Sequence, residues 1–166
     1  VDNNEKINIV KRIILGAQGC GVKEIHIMPD TFQIGYRAVD DLNTMKQLMG
    51  EVNILDMRIK GSLLDTINAV RLMEEEGVKC IVALGGDGTN RAVAKSITNT
   101  PLIGVSTGTN NVYPEMIEGT VVGMAAAVIA SGKFDKNKIC KKDKRIEIFK
   151  NGEFVEIGRA SCRERV

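Results

Sequence analysis

Apolar residues recur at two different spacings along this chain, and the changes from one to the other mark its elements. Ile7, Val10 and Ile14 fall at helical spacing. Asn3 or Asn4 can cap that run, and Gly16, Gly19 and Gly21 close it. Residues 24–28 alternate and stop at Pro29, which predicts a strand. Residues 30–48 predict a second helix ended by Gly50, and residues 52–55 a short strand. Ser62 is placed to cap a helix whose inward face is Leu63, Ile67, Val70 and Met73. That helix ends on Glu74, Glu75 and Glu76 before Gly77, and acids in a last turn oppose the helix dipole.

Residues 80–84 form a continuous apolar run, the pattern of a parallel strand covered on both faces. A helix from about Thr89 to Thr98 follows, then a second buried strand at 101–105 and an Ala-rich helix from about Pro114 to Ala130. Strands alternating with helices at this spacing predict an α/β layered domain with a parallel sheet over residues 1–137. After Lys138 the texture changes. Residues 145–155 alternate strictly and contain Asn151-Gly152, a strong hairpin signal, so 138–155 are expected to open a second, β-rich domain.

Bulk composition narrows the field. The chain has 166 residues, 43% hydrophobic and 27% charged, enough for one sizeable core. With 4% aromatics and no Trp, that core must come from Ile, Val, Leu, Met and Ala. The scattered Met residues read as gap fillers. A formal charge of +2 lends no support to nucleic-acid binding. The basic run Lys138, Lys141, Lys142, Lys144 and Arg145 reads as a solvated linker.

Cysteines stand at 20, 80, 140 and 162, without a Cys-x-x-Cys pair and with only His26 to join them, so neither a zinc site nor a disulfide framework is expected. Cys80 reads as a small buried hydrophobe and His26 as a structural residue of its strand. No signal peptide is evident, and no apolar run reaches the ~20 residues of a membrane span. A cytoplasmic protein without stable membrane insertion is expected. Both ends read as artificial. The chain begins at Val1, so its start is expected upstream, and residues 156–166 back-translate to a common sequencing adapter and read as an artefactual tail. The protein is expected to continue beyond Val155.

The candidate chemistry lies in two loops. Gly85-Gly86-Asp87-Gly88-Thr89 ends the apolar strand and opens a helix, the edge of an α/β sheet where ligands bind. Glycines let backbone N–H groups approach phosphate oxygens, and the helix N-terminus adds about half a positive charge. Thr89 and Asn90 can cap the helix and donate to phosphate. A carboxylate beside phosphates is repelled, so Asp87 implies a task such as holding Mg²⁺ or accepting the proton of an attacking hydroxyl. The plainer alternative is a tight turn with Asp87 as its cap. Thr107-Gly108-Thr109-Asn110-Asn111 follows the next strand and should open on the same edge, offering short donors and a close backbone approach. Its plainer alternative is an Asx-type turn. The chain has no Gly-x4-Gly-Lys-Ser/Thr loop, no protein-kinase catalytic string and no His-Glu-x-x-His.

Together the two loops resemble the NAD kinase and diacylglycerol kinase superfamily, whose signature Gly85-Gly-Asp-Gly-Thr89 matches. The run from Pro101 to Pro114 is most similar to the branch called ATP-NAD kinase-like or acetoin catabolism protein X. The resemblance extends from near Asp2 through Val155. It implies a Rossmann-like N-terminal α/β domain, a C-terminal β-sandwich and a site between them. It further implies that Asp87 is catalytic, acting on the acceptor hydroxyl. Gly85, Gly86, Gly88, Thr89 and Asn90 would handle nucleotide phosphates, and Thr107, Gly108, Thr109, Asn110 and Asn111 would face nucleotide or substrate. ATP and Mg²⁺ are then expected, with NAD as the acceptor, no dedicated metal ligand, and a homo-oligomer in the full-length protein. This stretch by itself is expected to be inactive, since half of the interdomain site lies outside it. The upstream small-residue phosphate segment of the family is not present. Gly108-Thr-Asn-Asn111 stands closer to the lipid-kinase pattern Gly-Thr-x-Asn-Asp than to the Asn-x-Gly of typical NAD kinases. A lipid kinase and a non-catalytic nucleotide-binding regulator therefore stay open as alternatives.

Overall fold

The two-fold and helical periodicities resolve into alternating strands and helices in the computed structural model, which describes residues 1–158. In chain order these are α1 (Asn3–Gly19), β1 (Glu24–Ile27), α2 (Ile34–Thr44), β2 (Glu51–Ile54), α3 (Leu63–Glu75) and β3 (Ile81–Leu84). They are followed by α4 (Asp87–Ser96), β4 (Leu102–Val105), α5 (Gly119–Ala130), α6 (Lys136–Ile139), β5 (Ile146–Lys150) and β6 (Glu153–Gly158). β1 pairs with β2 and β3 with β4, both parallel, and β5 with β6 antiparallel. The expected α/β fold is present, although its parallel strands form two separate two-stranded ladders. In the second ladder Ile81 lies opposite Leu102 and Leu84 opposite Val105. The loops after β3 and β4 therefore open on the same edge.

Local chemistry shifts several boundaries. Asp2, one residue earlier than expected, caps α1 by accepting from the Glu5 amide at 2.8 Å. Asp30 accepts from the amides of Phe32, Ile34 and Gly35. That turn holds residues 30–33 out of helix, and α2 begins at Ile34. Before α5, Glu115 bridges to Val105 of β4 and Glu118 caps the helix, accepting from Thr120 at 2.7 Å. α5 thus starts at Gly119, five residues after the Pro114 that its Ala-rich composition suggested. Two of the three acids ending α3, Glu74 and Glu76, have partners. Glu74 accepts from Thr98 N and Oγ1 and from Thr100 N, and Glu76 reaches His26 Nδ1 at 2.7 Å.

At the start of α3, Asp65 accepts from the amides of Ser62 and Lys60, each at 2.9 Å. The Ser62 amide is the main cause holding the Asp65 carboxyl below the usual range. For Glu74 burial acts upward, but hydrogen bonds from Thr100 and Thr98 outweigh it and the carboxyl again lies low. A carboxyl depressed by folding contributes stability above its unfolded pKa, and that contribution is lost as pH falls through the folded value. Urea midpoints should therefore stay flat near neutrality and fall once pH drops below about 4. Asp65→Ala should lower the neutral plateau and flatten this acid limb.

α1 and α5 pack in unusually close contact. A Cβ at Gly16 would lie 2.5 Å from the Thr120 carbonyl oxygen, and one at Gly119 2.8 Å from that of Ile9. One at Gly123 would run into the carbonyl oxygen of Ile13 and lie 2.7 Å from the Ala17 nitrogen. Arg12 closes the rim, pairing with Glu5 at 2.8 Å and Glu118 at 3.0 Å. A second core gathers Val70, Ile81, Ala83 and Val93 between α3, β3 and α4.

The hairpin turns at Asn151 and Gly152, both with positive φ, as an Asn-Gly hairpin requires. It leans on α4, with Arg145 donating to the Ala94 carbonyl and Lys95 paired with Glu156 at 2.6 Å. β6 runs on through Glu156–Gly158, so these first residues of the segment read as a tail are part of the strand. The remainder, 159–166, lies outside the described residues, as does Cys162. α6 was not foreseen and straddles the expected boundary between 137 and 138. Cys20, Cys80 and Cys140 are free thiols, and burial pushes that of Cys80 up to about 12. Among the described residues no helix is long and apolar enough to cross a membrane.

Candidate functional site

The apolar β3 ends at Leu84, and Gly85 stays in register by donating to the Val105 carbonyl at 2.9 Å. Gly86 is the N-cap of α4, so Asp87 is the first helical residue. Its carboxylate is turned inward, with only 9% of the residue exposed. Oδ1 accepts from the amides of Val112 at 3.0 Å and Tyr113 at 2.9 Å, and Oδ2 from Val112 at 3.2 Å. In the other direction the Asp87 amide donates to Asn111 Oδ1 at 3.3 Å. The loop after β4 is thereby fastened to the glycine turn after β3. A Cβ at Gly86 would sit 2.9 Å from that same Asn111 oxygen, so glycine there lets the two loops close on each other.

Asn90, 3% exposed, donates from both its amide and Nδ2 to the Gly86 carbonyl at 3.1 and 3.0 Å. Its Oδ1 faces Gly104, where a Cβ would come within 2.6 Å, and is a buried oxygen without a hydrogen-bond donor. Asn90 therefore braces the turn from beneath. Thr109 and Asn110 are exposed on their loop and Gly88 in the first turn of α4, while Gly86, Thr89, Thr107, Gly108 and Asn111 are half-buried. The sequence-predicted positions thus fall on the glycine turn, the first turn of α4 and the loop after β4 that touches them. Val112 and Tyr113, which hold the carboxylate, were not foreseen; an apolar residue and an aromatic contributing only backbone leave no side-chain signal. Ser106 was also missed. It is 5% exposed and its Oγ bonds to Gly108 and Asn111. Its one trace in the sequence is its place directly after an apolar strand.

The arrangement presents helix N-terminal amides, glycine backbone and short hydroxyls and amides around one carboxylate, all at the C-terminal edge of a parallel strand pair. Such an edge suits an anionic ligand. No group of three or more His, Cys, Asp or Glu side chains able to hold a metal ion occurs among the described residues.

Fold and loops together define an α/β domain of the kind that binds nucleotides at its strand ends. Comparison with known proteins makes this specific. The family of ATP-NAD kinase N-terminal domains matches residues 9–134, and the chain belongs to that family. It is 36% identical over 149 residues to a protein of Cupriavidus necator (strain H16) called acetoin catabolism protein X, covering 87% of this chain. The match spans 41% of that relative's length. No solved structure matches the chain. Family membership makes this a domain of a kinase-type enzyme family.

Proposed function

We propose that the protein containing this chain is an ATP-dependent phosphotransferase that converts NAD to NADP. The observation that carries this reading is the Asp87 carboxylate, held by two backbone amides where the paired loops meet at the start of α4. The ribose 2′-hydroxyl attacks the γ-phosphorus of ATP, the bond to the bridging oxygen of the β-phosphate breaks, and ADP leaves. Asp87 takes the hydroxyl proton as the new P–O bond forms. An ordinary aspartate, with a pKa of about 3.9, is too weak a base to remove that proton in advance. Positioning and charge neutralisation carry most of the acceleration.

Gly86 and Gly88 offer backbone donors to the phosphates, together with Thr89 and the α4 terminus braced by Asn90, whereas the Gly85 amide is already engaged by the Val105 carbonyl. Thr107, Gly108, Thr109, Asn110 and Asn111 form the opposite wall. Mg²⁺ retains much of its water and takes few protein ligands when phosphates carry it. Such an ion, carried on the phosphates, would need no protein cage, and none occurs among the described residues. The ion supplies neutralisation of the phosphate charge.

One observation favours a second reading. Val112, Tyr113 and Met116 are 55%, 47% and 68% exposed close after the loop that holds the carboxylate, a surface that would suit an apolar acceptor. The full-length protein, given γ-labelled ATP with NAD and with diacylglycerol vesicles, decides between them. Labelled NADP is the expected product. Labelled lipid with NAD left unlabelled would overturn the proposal, and tight NAD binding without any product would point to a regulator.

A further inference from the structure

We infer that Ser106 is a positioning residue, setting the Asp87 carboxylate through Asn111 and the amides that follow it. A serine hydroxyl has one donor and two acceptor sites, and when buried it is expected to fill them. Ser106 directs all three into its own loop. It donates to the Gly108 carbonyl at 2.7 Å and accepts from Asn111 Nδ2 at 2.7 Å and from the Gly108 amide at 3.3 Å. Its backbone amide donates to the Glu115 carbonyl at 2.8 Å, where the loop returns to β4. One residue thus grips the loop near both of its ends.

The connection onward runs through a carboxamide with a single workable orientation. Asn111 Nδ2 faces the Gly108 carbonyl, which can only accept, and Oδ1 faces the Asp87 amide, which can only donate. Turning the group over would break both contacts. With Asn111 fixed, the next two amides, of Val112 and Tyr113, point at the carboxylate. Ser106 touches neither carboxylate oxygen in this chain of contacts and acts only through the loop. The inference rests on Asp87 being the proton acceptor, but the geometry it assigns can be measured without turnover.

Two readouts test it in the full-length protein. Ser106→Ala should speed amide hydrogen exchange at Val112 and Tyr113 by roughly tenfold or more, a local opening at the carboxylate's donors. Ser106→Thr, which keeps the hydroxyl, should restore slow exchange. In the kinase assay Ser106→Ala should lower kcat by about 10-fold or more with little change in KM for ATP. Combined with Asp87→Asn it should cost no more than Asp87→Asn alone, because both act through one group. Unchanged exchange at Val112 and Tyr113 would overturn the inference whether or not the protein is active. So would full additivity of the two substitutions. If Asp87→Asn itself leaves turnover intact while exchange responds as expected, the proton-acceptor reading fails and the positional link stands.

Discussion

Changing Asp87 to Asn is expected to lower phosphoryl transfer by ~10²–10⁴-fold, the range for removing a general base from the transition state. The substitution is informative because Asn keeps an acceptor oxygen. The amides of Val112 and Tyr113 can still bond where Oδ1 stood, so the loop should hold its course. What disappears is the negative charge and a group able to take a proton. Affinity for ATP and NAD should change little, so the loss should fall on kcat in steady-state kinetics, and isothermal titration should show both nucleotides binding as before. Asp87→Ala would be harder to interpret, since it leaves two loop amides without their acceptor. Turnover at the parent rate in Asp87→Asn would remove this residue from the chemistry.

The largest effect on stability is expected where α1 and α5 cross. Gly→Ala inside a helix ordinarily stabilises by up to about 1 kcal/mol. At Gly123 the sign should reverse, because the added carbon meets the backbone of Ile13 and Ala17, which cannot move aside as a flexible side chain could. Overpacking of this kind costs about 1–3 kcal/mol or more, leaving a net loss on the order of 2 kcal/mol. For a chain of this size that corresponds to a fall of about 4–8 °C in Tm. Gly19→Ala at the end of α1 is the matching control. A Cβ there meets nothing within 4 Å, and its Tm should be unchanged or slightly higher. Equal behaviour of the two variants in a thermal scan would contradict the close helix contact.

These two sites differ in how far the sequence revealed them. The apolar run before Gly85 and the acid among glycines mark the strand, the turn and Asp87 through local pattern alone. The loop at 107–111 was legible for the same reason, as polar small residues after an apolar strand. The fastening of one loop to the other was not, because Asp87 and Tyr113 stand 26 positions apart and meet through backbone atoms. The contact between α1 and α5 was equally hidden. Gly119 and Gly123 stand in an Ala-rich stretch, and only the partner helix shows why a side chain is excluded there. Boundaries slipped where a polar side chain competed for the backbone, as Asp30 does before α2 and Glu118 before α5. The acids at the end of α3 looked unfavourable from dipole considerations alone. Their partners, Thr98, Thr100 and His26, come from other elements.

The clasp between the two loops also sets when ordering is charged against the free energy. Its hydrogen bonds form as the domain folds, so a polyphosphate bound at the strand ends, as the proposed function requires, would meet a turn already in place. Little loop entropy then remains to be lost on association, and a rigid cradle of this kind gains affinity by reducing that loss. Ligands of quite different bulk beyond the phosphates would share the same anchoring term, and selection among them would fall to whatever surrounds the cradle.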